Sequence, residues 1–168
     1  VYLSAQDGFK STFAQLKGKV EVEALKPSDK RNAADPKIFW SEEEGKAGLR
    51  ITSQFEKPGA GFTVWNLGPF LGASVSKLEL GGEFHLRVKA GSGIKSFTIR
   101  LIDKDGEVLQ FFSKAARAVW MDSGWIFDET LIAGATWGAR TNRKIDFPLN
   151  QIHLAVDGKD EIDIFLES

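Results

Sequence analysis

The stretch Glu83-Phe84-His85-Leu86-Arg87-Val88-Lys89-Ala90, the break Gly91-Ser92-Gly93, and then Ile94-Lys95-Ser96-Phe97-Thr98-Ile99-Arg100-Leu101-Ile102 decide how this chain folds. Phe84, Leu86 and Val88 share one parity, while His85, Arg87 and Lys89 share the other. Phe97, Ile99 and Leu101 repeat the pattern against Ser96, Thr98 and Arg100. Alternation of period two sends successive side chains to opposite faces of an extended strand, so each segment reads as a strand with one dry and one wet face. Gly81-Gly82 opens the first strand, and Asp103-Lys104-Asp105-Gly106 after the second has the composition of a hairpin turn.

Outward from this pair the alternation recurs along most of the chain. Val20, Val22 and Ala24 alternate with Lys19, Glu21 and Glu23, and Leu49, Ile51 and Phe55 with Arg50, Thr52 and Gln54. Phe62 and Val64 alternate with Thr63 and Trp65, which predicts Trp65 on a wet face. Ile152, Leu154 and Val156 follow, then the turn Asp157-Gly158-Lys159-Asp160, then Ile162, Ile164 and Leu166. Many short alternating strands divided by turn residues predict an all-β fold, an antiparallel β-sandwich of jelly-roll type, as one domain over residues 1–168. A chain of this length buries roughly 70% of its unfolded surface, enough for a core without staples. Helical signals are few: residues 8–17 and 66–80 could each hold a short helical turn. Residues 26–37 and 133–148 read as loops.

Composition narrows the chemistry. The formal net charge is -1, without the cationic excess that neutralises nucleic-acid phosphates. The chain has no cysteine, which excludes disulfides, thiolate nucleophiles and cysteine metal sites. No apolar run approaches the roughly 18 residues of a membrane helix. Neither nucleic acid nor a membrane is therefore an expected partner. The chain opens on Val1, which fits a mature secreted, periplasmic or cell-surface protein, or a domain cut from a longer one.

Catalytic patterns are scarce. His85 and His153 are the two histidines, both on expected outward strand positions, and no nucleophile elbow, zinc-binding or phosphate-loop motif occurs. Paired carboxylates of the kind that cleave glycosides could be sought at Asp128-Glu129 or Glu161 and Asp163. Carboxylates on a strand's wet face are usually solvated, so a non-catalytic protein is expected.

Five tryptophans among 168 residues exceed what such a core needs. Trp40 and Trp125 read as interior or loop anchors, while Trp65, Trp120 and Trp137 are the candidates for the surface. An indole face packs against the C–H patches of a sugar ring and leaves the hydroxyls to polar neighbours. Arg50, His85, Arg87 and Arg100 all take outward positions, with Gln110 a further candidate. Were their strands adjacent, they would form one cationic stripe able to grip a carboxylate or sulfate, since a guanidinium offers two parallel bonds. An ordinary solvated face with acidic partners, such as Glu83 beside His85, accounts for the same residues. Glu21 and Asp163, near opposite ends of the chain, could share a calcium if the first and last strands pair. A charged edge strand explains them without a metal.

The run Phe97 to Gly106, the stretch Trp137-Gly138-Ala139-Arg140-Thr141-Asn142-Arg143-Lys144-Ile145-Asp146-Phe147-Pro148, and its continuation through Val156 to Ile164 resemble galactose-binding-like carbohydrate-binding modules. A similar ending closes accessory N-terminal domains of some glycoside hydrolases. The likeness covers roughly residues 45–168 and lies in strand order and turns. It implies a jelly roll that binds polysaccharide without catalysis, on a concave sheet face or in end loops, beside a catalytic domain of the same parent chain. It also implies a structural calcium, with Asp163 at the acidic position of the closing strand, although Ile164 stands where a second acidic residue is often found. The alternatives are a structural domain of a hydrolase that binds no sugar, and a jelly-roll lyase or hydrolase in its own right.

Overall fold

The computed structural model describes residues 2–4, 10–12, 27–32, 34–57, 59–68, 72–159 and 161–167. Its strands are β1 (Tyr2–Ser4), β2 (Lys10–Thr12), β3 (Asp29–Arg31), β4 (Lys37–Glu43), β5 (Lys46–Gln54), β6 (Ala60–Asn66), β7 (Glu83–Ala90), β8 (Ile94–Ile102), β9 (Glu107–Gln110), β10 (Lys114–Ala115), β11 (Trp120–Ile126), β12 (Trp137–Gly138), β13 (Gln151–Lys159) and β14 (Glu161–Glu167). Short turns of 3-10 type lie at Gly72–Lys77 and Glu129–Leu131. The first lies inside the stretch where the sequence predicts a helical turn.

The strands form two antiparallel layers. Layer one runs β4-β5-β14-β7-β11. Because β11 pairs along nearly all of β7, β1 and β14 share the opposite edge of β7 in succession. Layer two runs β3-β6-β13-β8-β9-β12, with β10 beside the start of β8. The chain crosses between layers at the β13–β14 hairpin, where the single pair Lys159 and Glu161 joins them. This is the sandwich that the alternation predicts, with inner faces turned together.

Layer one contributes Leu49, Ile51, Phe84, Leu86, Val88, Ile162, Ile164 and Leu166 to the core, and layer two Phe97, Ile99, Leu101, Ile152, Leu154 and Val156. Each such side chain contributes about 1.5–3 kcal/mol on burial. Trp125 links the layers. Its ring lies 5.9 Å from Phe84 beside it and 6.0 Å from Phe97 across the core, the latter edge-on, and its Nε1 donates to the Phe112 carbonyl at 3.0 Å. Trp40 packs against the same core half-buried. Both serve as the anchors expected of them.

Three expectations are corrected. Trp65 is 2% exposed and belongs to the core. Opposite Leu154, with Thr63 opposite Val156, it takes the inward parity, and Phe62 and Val64 face out. Both parities of Phe62-Thr63-Val64-Trp65 carry apolar groups, so alternation alone does not fix the phase, and a slip of one residue exchanges the faces. The phase adopted buries the larger ring. Second, the expected loop at 26–37 contains β3, which pairs with β6. Third, Lys10–Thr12 in the expected helical stretch 8–17 is a strand paired with β1. The 133–148 stretch is irregular as predicted, apart from two residues of β12.

Candidate functional site

The predicted binding residues divide between the outer faces of the two layers. Arg50, His85, Arg87 and Trp120 stand on layer one, and Arg100, Gln110 and Trp137 on layer two. The single cationic stripe foreseen from parity does not form, because β8 belongs to the other sheet from β5 and β7.

On layer one every one of these cations meets a carboxylate. Arg50 grips Asp163 at two points, Nε to Oδ1 at 2.9 Å and Nη2 to Oδ2 at 2.6 Å, with Glu43 at 3.5 Å. Lys89 bridges Glu43 at 2.7 Å and Glu44 at 2.6 Å. Arg87 and Lys46 share Glu167 at 2.7 and 3.2 Å. His85 pairs with Glu83, its ring lying over Gly124, where any side chain would press on the imidazole. Trp120 donates its Nε1 to Glu44 at 2.5 Å and stands edge-on to Phe165 at 5.6 Å. Phe165, buried on an outward position, is accommodated by Gly48, whose missing Cβ would collide with its ring. The β4–β5 hairpin thus curls over its own sheet, since Glu44 at its tip reaches Trp120 on the far edge strand. The hydrogen bond to Asp163 raises the Arg50 pKa, and those to Glu43 and Glu44 raise that of Lys89. Lys89 and Trp120 in turn lower that of Glu44. The network is electrostatically closed.

The same network answers the calcium expectation. Both carboxylate oxygens of Asp163 are held by Arg50, so a guanidinium stands where a cation was foreseen. Glu21 lies outside the described residues. Calcium takes roughly six to eight oxygen ligands, and among the described residues no three acidic or histidine side chains gather for a metal. The residues around Asp163 do not fit the ion.

Layer two carries a different arrangement. One rung across its outer face reads Asn66, His153, Arg100 and Gln110, and the next Gln151, Ile102, Val108 and Trp137. The Arg100 guanidinium lies 5.3 Å from the Trp137 ring and 6.0 Å from that of Phe62, and its Nε donates to Gln110 at 2.8 Å. Arg31 lies over the other part of Phe62 at 5.2 Å. Phe62 and Trp137 start from opposite sides of Arg100, two strands away in each direction, and still converge on it. Both rings thus reach the guanidinium across the outer face. Val64, Ala155 and Thr98, on the rung between, are buried beneath this cover. Asp29 is the acidic group near Arg100, at 3.7 Å.

His153 is buried below Arg100. Its Nε2 donates to Gln151 Oε1 at 2.6 Å, and its Nδ1 lies 3.4 Å from Ser28 Oγ. Burial, and then the positive charge of Arg100, push its pKa down to about 4, so the ring is neutral near pH 7.

Trp137 is held by backbone. Gly138 has φ +113, and a Cβ there would stand 2.2 Å from the Gly106 carbonyl oxygen, so only glycine lets β12 lie against β9. Behind it, the Glu107 carboxylate is buried and accepts the Asn142 and Arg143 amides at 2.8 and 2.9 Å. Burial pushes its pKa up, but hydrogen bonds from Thr136, Asn142 and Arg143 outweigh that and hold it below the usual value. Arg143 ties the loop back to the Gly134 and Ile132 carbonyls at 2.8 and 3.1 Å. The loop thus presents Trp137, 43% exposed, as a fixed plate.

Phe62, Arg31, His153, Gln151 and Glu107 complete this site and were not among the predicted binding residues. Phe62 was hidden by the inverted phase of β6. The polar parity of Gln151 and His153 on β13 was a usable signal.

Of the carboxylates considered for catalysis, Asp163 is held by Arg50, and Asp128 and Glu129 hold backbone. Asp128 caps the Glu129–Leu131 turn by accepting from Thr130 N at 2.8 Å. Glu129 accepts the Ile145 amide at 3.1 Å.

No family model matches the chain. No curated protein matches it. Among solved structures it is similar to one from a study of promiscuous specificity in carbohydrate-binding modules of the β-sandwich superfamily, with TM-score 0.53 and 13% identity over 90% of this chain. The chain spans 58% of that structure's length. It is also similar to the family 11 carbohydrate-binding module from Clostridium thermocellum in complex with a β-1,3-1,4-mixed-linked tetrasaccharide, with TM-score 0.52 and 12% identity. That match covers 100% of this chain and 94% of the other. At such identities the likeness is one of fold.

Proposed function

We propose that this protein binds a polysaccharide without cleaving it, on the outer face of layer two. The observation that carries the reading is the rigidly held, exposed Trp137 ring beside Arg100 and Gln110. A sugar ring stacks on the indole while its hydroxyls meet Arg100, Gln110, Gln151 and Asn66. An amphipathic ligand of this kind suits an aromatic plate ringed by fixed polar groups. The fold it shares with carbohydrate-binding modules supports the reading. The neutral imidazole of His153 holds the Gln151 amide beneath this face without adding charge.

Its role is to hold a long polymer close to a catalytic domain of the same parent protein, raising local concentration by tethering. Catalysis finds little support in the acid pairs, since Asp163, Asp128 and Glu129 are each committed to structural hydrogen bonds. An acidic glycan is supported on this face by Arg100 and Arg31. The layer-one guanidiniums of Arg50 and Arg87 hold carboxylates at 2.6 and 2.7 Å, against 3.7 Å between Arg100 and Asp29.

Affinity electrophoresis through gels containing neutral or acidic polysaccharides tests the reading. Retardation in at least one gel, abolished in folded Trp137→Ala and Arg100→Ala variants, is the expected result. Equal retardation of wild type and both variants would remove this face from binding.

A further inference from the structure

The sandwich has a polar concavity at the end where the β13–β14 hairpin crosses between layers. A cavity of about 590 Å³ is lined there by Gln54, Phe55, Ser92, Gly93, Lys95, Lys159 and Glu161. These come from the end of β5, the β7–β8 turn, the start of β8 and the β13–β14 hairpin. Gln54 and Glu161 also line an adjoining cavity of about 310 Å³ with Lys37, Thr52 and Asp163. Volumes of this order suit one or two sugar residues.

Glycines shape the floor. A Cβ on Gly93 would stand 2.5 Å from the Glu161 carbonyl oxygen and 2.8 Å from that of Lys159, and one on Gly158 would stand 3.0 Å from the Gly93 oxygen. The Lys159 amide donates to that same Gly93 oxygen at 2.7 Å. The register of β13 against β8 shifts between Asp157 and Gly158, at this corner. Side chains on Gly61 or Gly158 would press on the Phe55 ring, at 3.3 and 3.4 Å. The glycines leave that ring half-buried on the wall of the cavity.

The charges of this corner differ from those of layer one. Lys95, Lys159 and Glu161 form no ion pair with any described residue, whereas Lys46, Arg50, Arg87 and Lys89 are all paired. Two ammonium groups call for an anionic group on the ligand. Glu161 beside them disfavours a bare inorganic anion and calls for donors, which hydroxyls supply. Gln54 and Ser92 add hydrogen-bonding groups, and Phe55 an apolar wall.

We infer that this corner is a second saccharide site, separate from the Trp137 face, selective for a sugar residue bearing a carboxylate or sulfate. The acid group lies between Lys95 and Lys159, the hydroxyls meet Glu161, Gln54 and Ser92, and the ring rests against Phe55. The inference rests on the carbohydrate-binding reading but uses none of the same residues.

The test is an NMR titration of the 15N-labelled 168-residue chain with three disaccharides: neutral galactobiose, digalacturonate and a sulfated galactobiose. Either acidic sugar should shift the amides of Ser92, Gly93 and Lys95, with affinity falling roughly tenfold in Lys95→Gln/Lys159→Gln. Binding should weaken as salt rises, and Trp137→Ala should leave it unchanged. Absence of shifts at these amides with both acidic sugars overturns the inference. So does equal binding of galactobiose, or full affinity in the folded double variant. Polysaccharide retention lost in Trp137→Ala while the acidic disaccharides fail to bind sinks this site alone. Acidic disaccharides binding here in a protein that no polysaccharide gel retards sinks the Trp137 face alone.

Discussion

The two outer faces are built from the same kinds of residue and reach opposite electrostatic outcomes. On layer one, the Arg50 guanidinium is clamped by Asp163 and approached by Glu43, and the Trp120 N–H is spent on Glu44. On layer two, Arg100 lies between two aromatic rings with its Nε on an uncharged amide, and Trp137 stands exposed beside it. An outward arginine is thus available to a ligand according to what stands across the rung from it. Layer one carries Glu43, Asp163 and Glu167 on its outward parity, and each saturates a cation. Layer two carries Gln110, Gln151, Asn66 and His153 there, which orient a guanidinium without charge, and the Asp29 carboxylate stands off from Arg100 at 3.7 Å.

Experiments that break or sharpen this contrast differ in size. The largest effect is expected at Glu107, which joins the Trp137 loop to β9. Glu107→Ala removes a buried acceptor from two backbone amides, each costing roughly 1–3 kcal/mol when left unmade. A loss of about 3 kcal/mol in chemical denaturation should accompany loss of polysaccharide retention. An unchanged midpoint would mean that the loop holds itself.

Next is the acid response of His153. The unfolded imidazole takes a proton near pH 6.5, and the folded one only near 4. Between those values the unfolded chain binds more protons, so stability falls as pH falls, by up to about 3 kcal/mol at the lower end. His153→Gln should flatten the denaturation midpoint between pH 6.5 and 4.5, a window above the ordinary carboxylate range. Equal slopes for the two proteins would show that the buried imidazole is not the source.

Trp137→Ala is expected to cost about tenfold or more in polysaccharide affinity, the weight of a single aromatic anchor. Stability should change by no more than about 0.5 kcal/mol, as for an exposed side chain outside the core. The smallest effects belong to layer one. Arg87→Ala breaks a partly exposed ion pair worth roughly 0–1 kcal/mol, and neither it nor Lys89→Ala should alter retention. Retention lost in Arg87→Ala but kept in Trp137→Ala would exchange the roles of the faces.

The fold was legible because most strands carry a one-sided apolar pattern, as in Phe84-His85-Leu86-Arg87-Val88. Where both parities are apolar the phase was lost, and with it the placement of Trp65 and Phe62. Trp137 was legible as a loop tryptophan beside Gly138, and Arg100 and Gln110 as outward polar groups. Their grouping was not. Which outward residues share a face depends on which strands share a sheet, and that is a long-range property. β5 meets β14, more than a hundred positions later, while β8, which follows β7 directly, crosses to the other layer. Nor could parity show that Glu44, at a hairpin tip, folds back across its sheet to reach Trp120.

The place of β14 has a consequence for how the protein is made. This last strand runs between β5 and β7, in the middle of layer one. During synthesis, β4-β5 and β7-β11 emerge as two ribbons with a vacant lane between them, and layer two likewise keeps a vacant lane between β6 and β8 until β13 emerges. Both layers therefore close together, when the two strands of the β13–β14 hairpin slot home, one into each layer. Pairings so distant along the chain carry a large loop-closure cost and slow the final step. A nascent chain stalled before Gln151 would leave both halves open to chaperones and proteases.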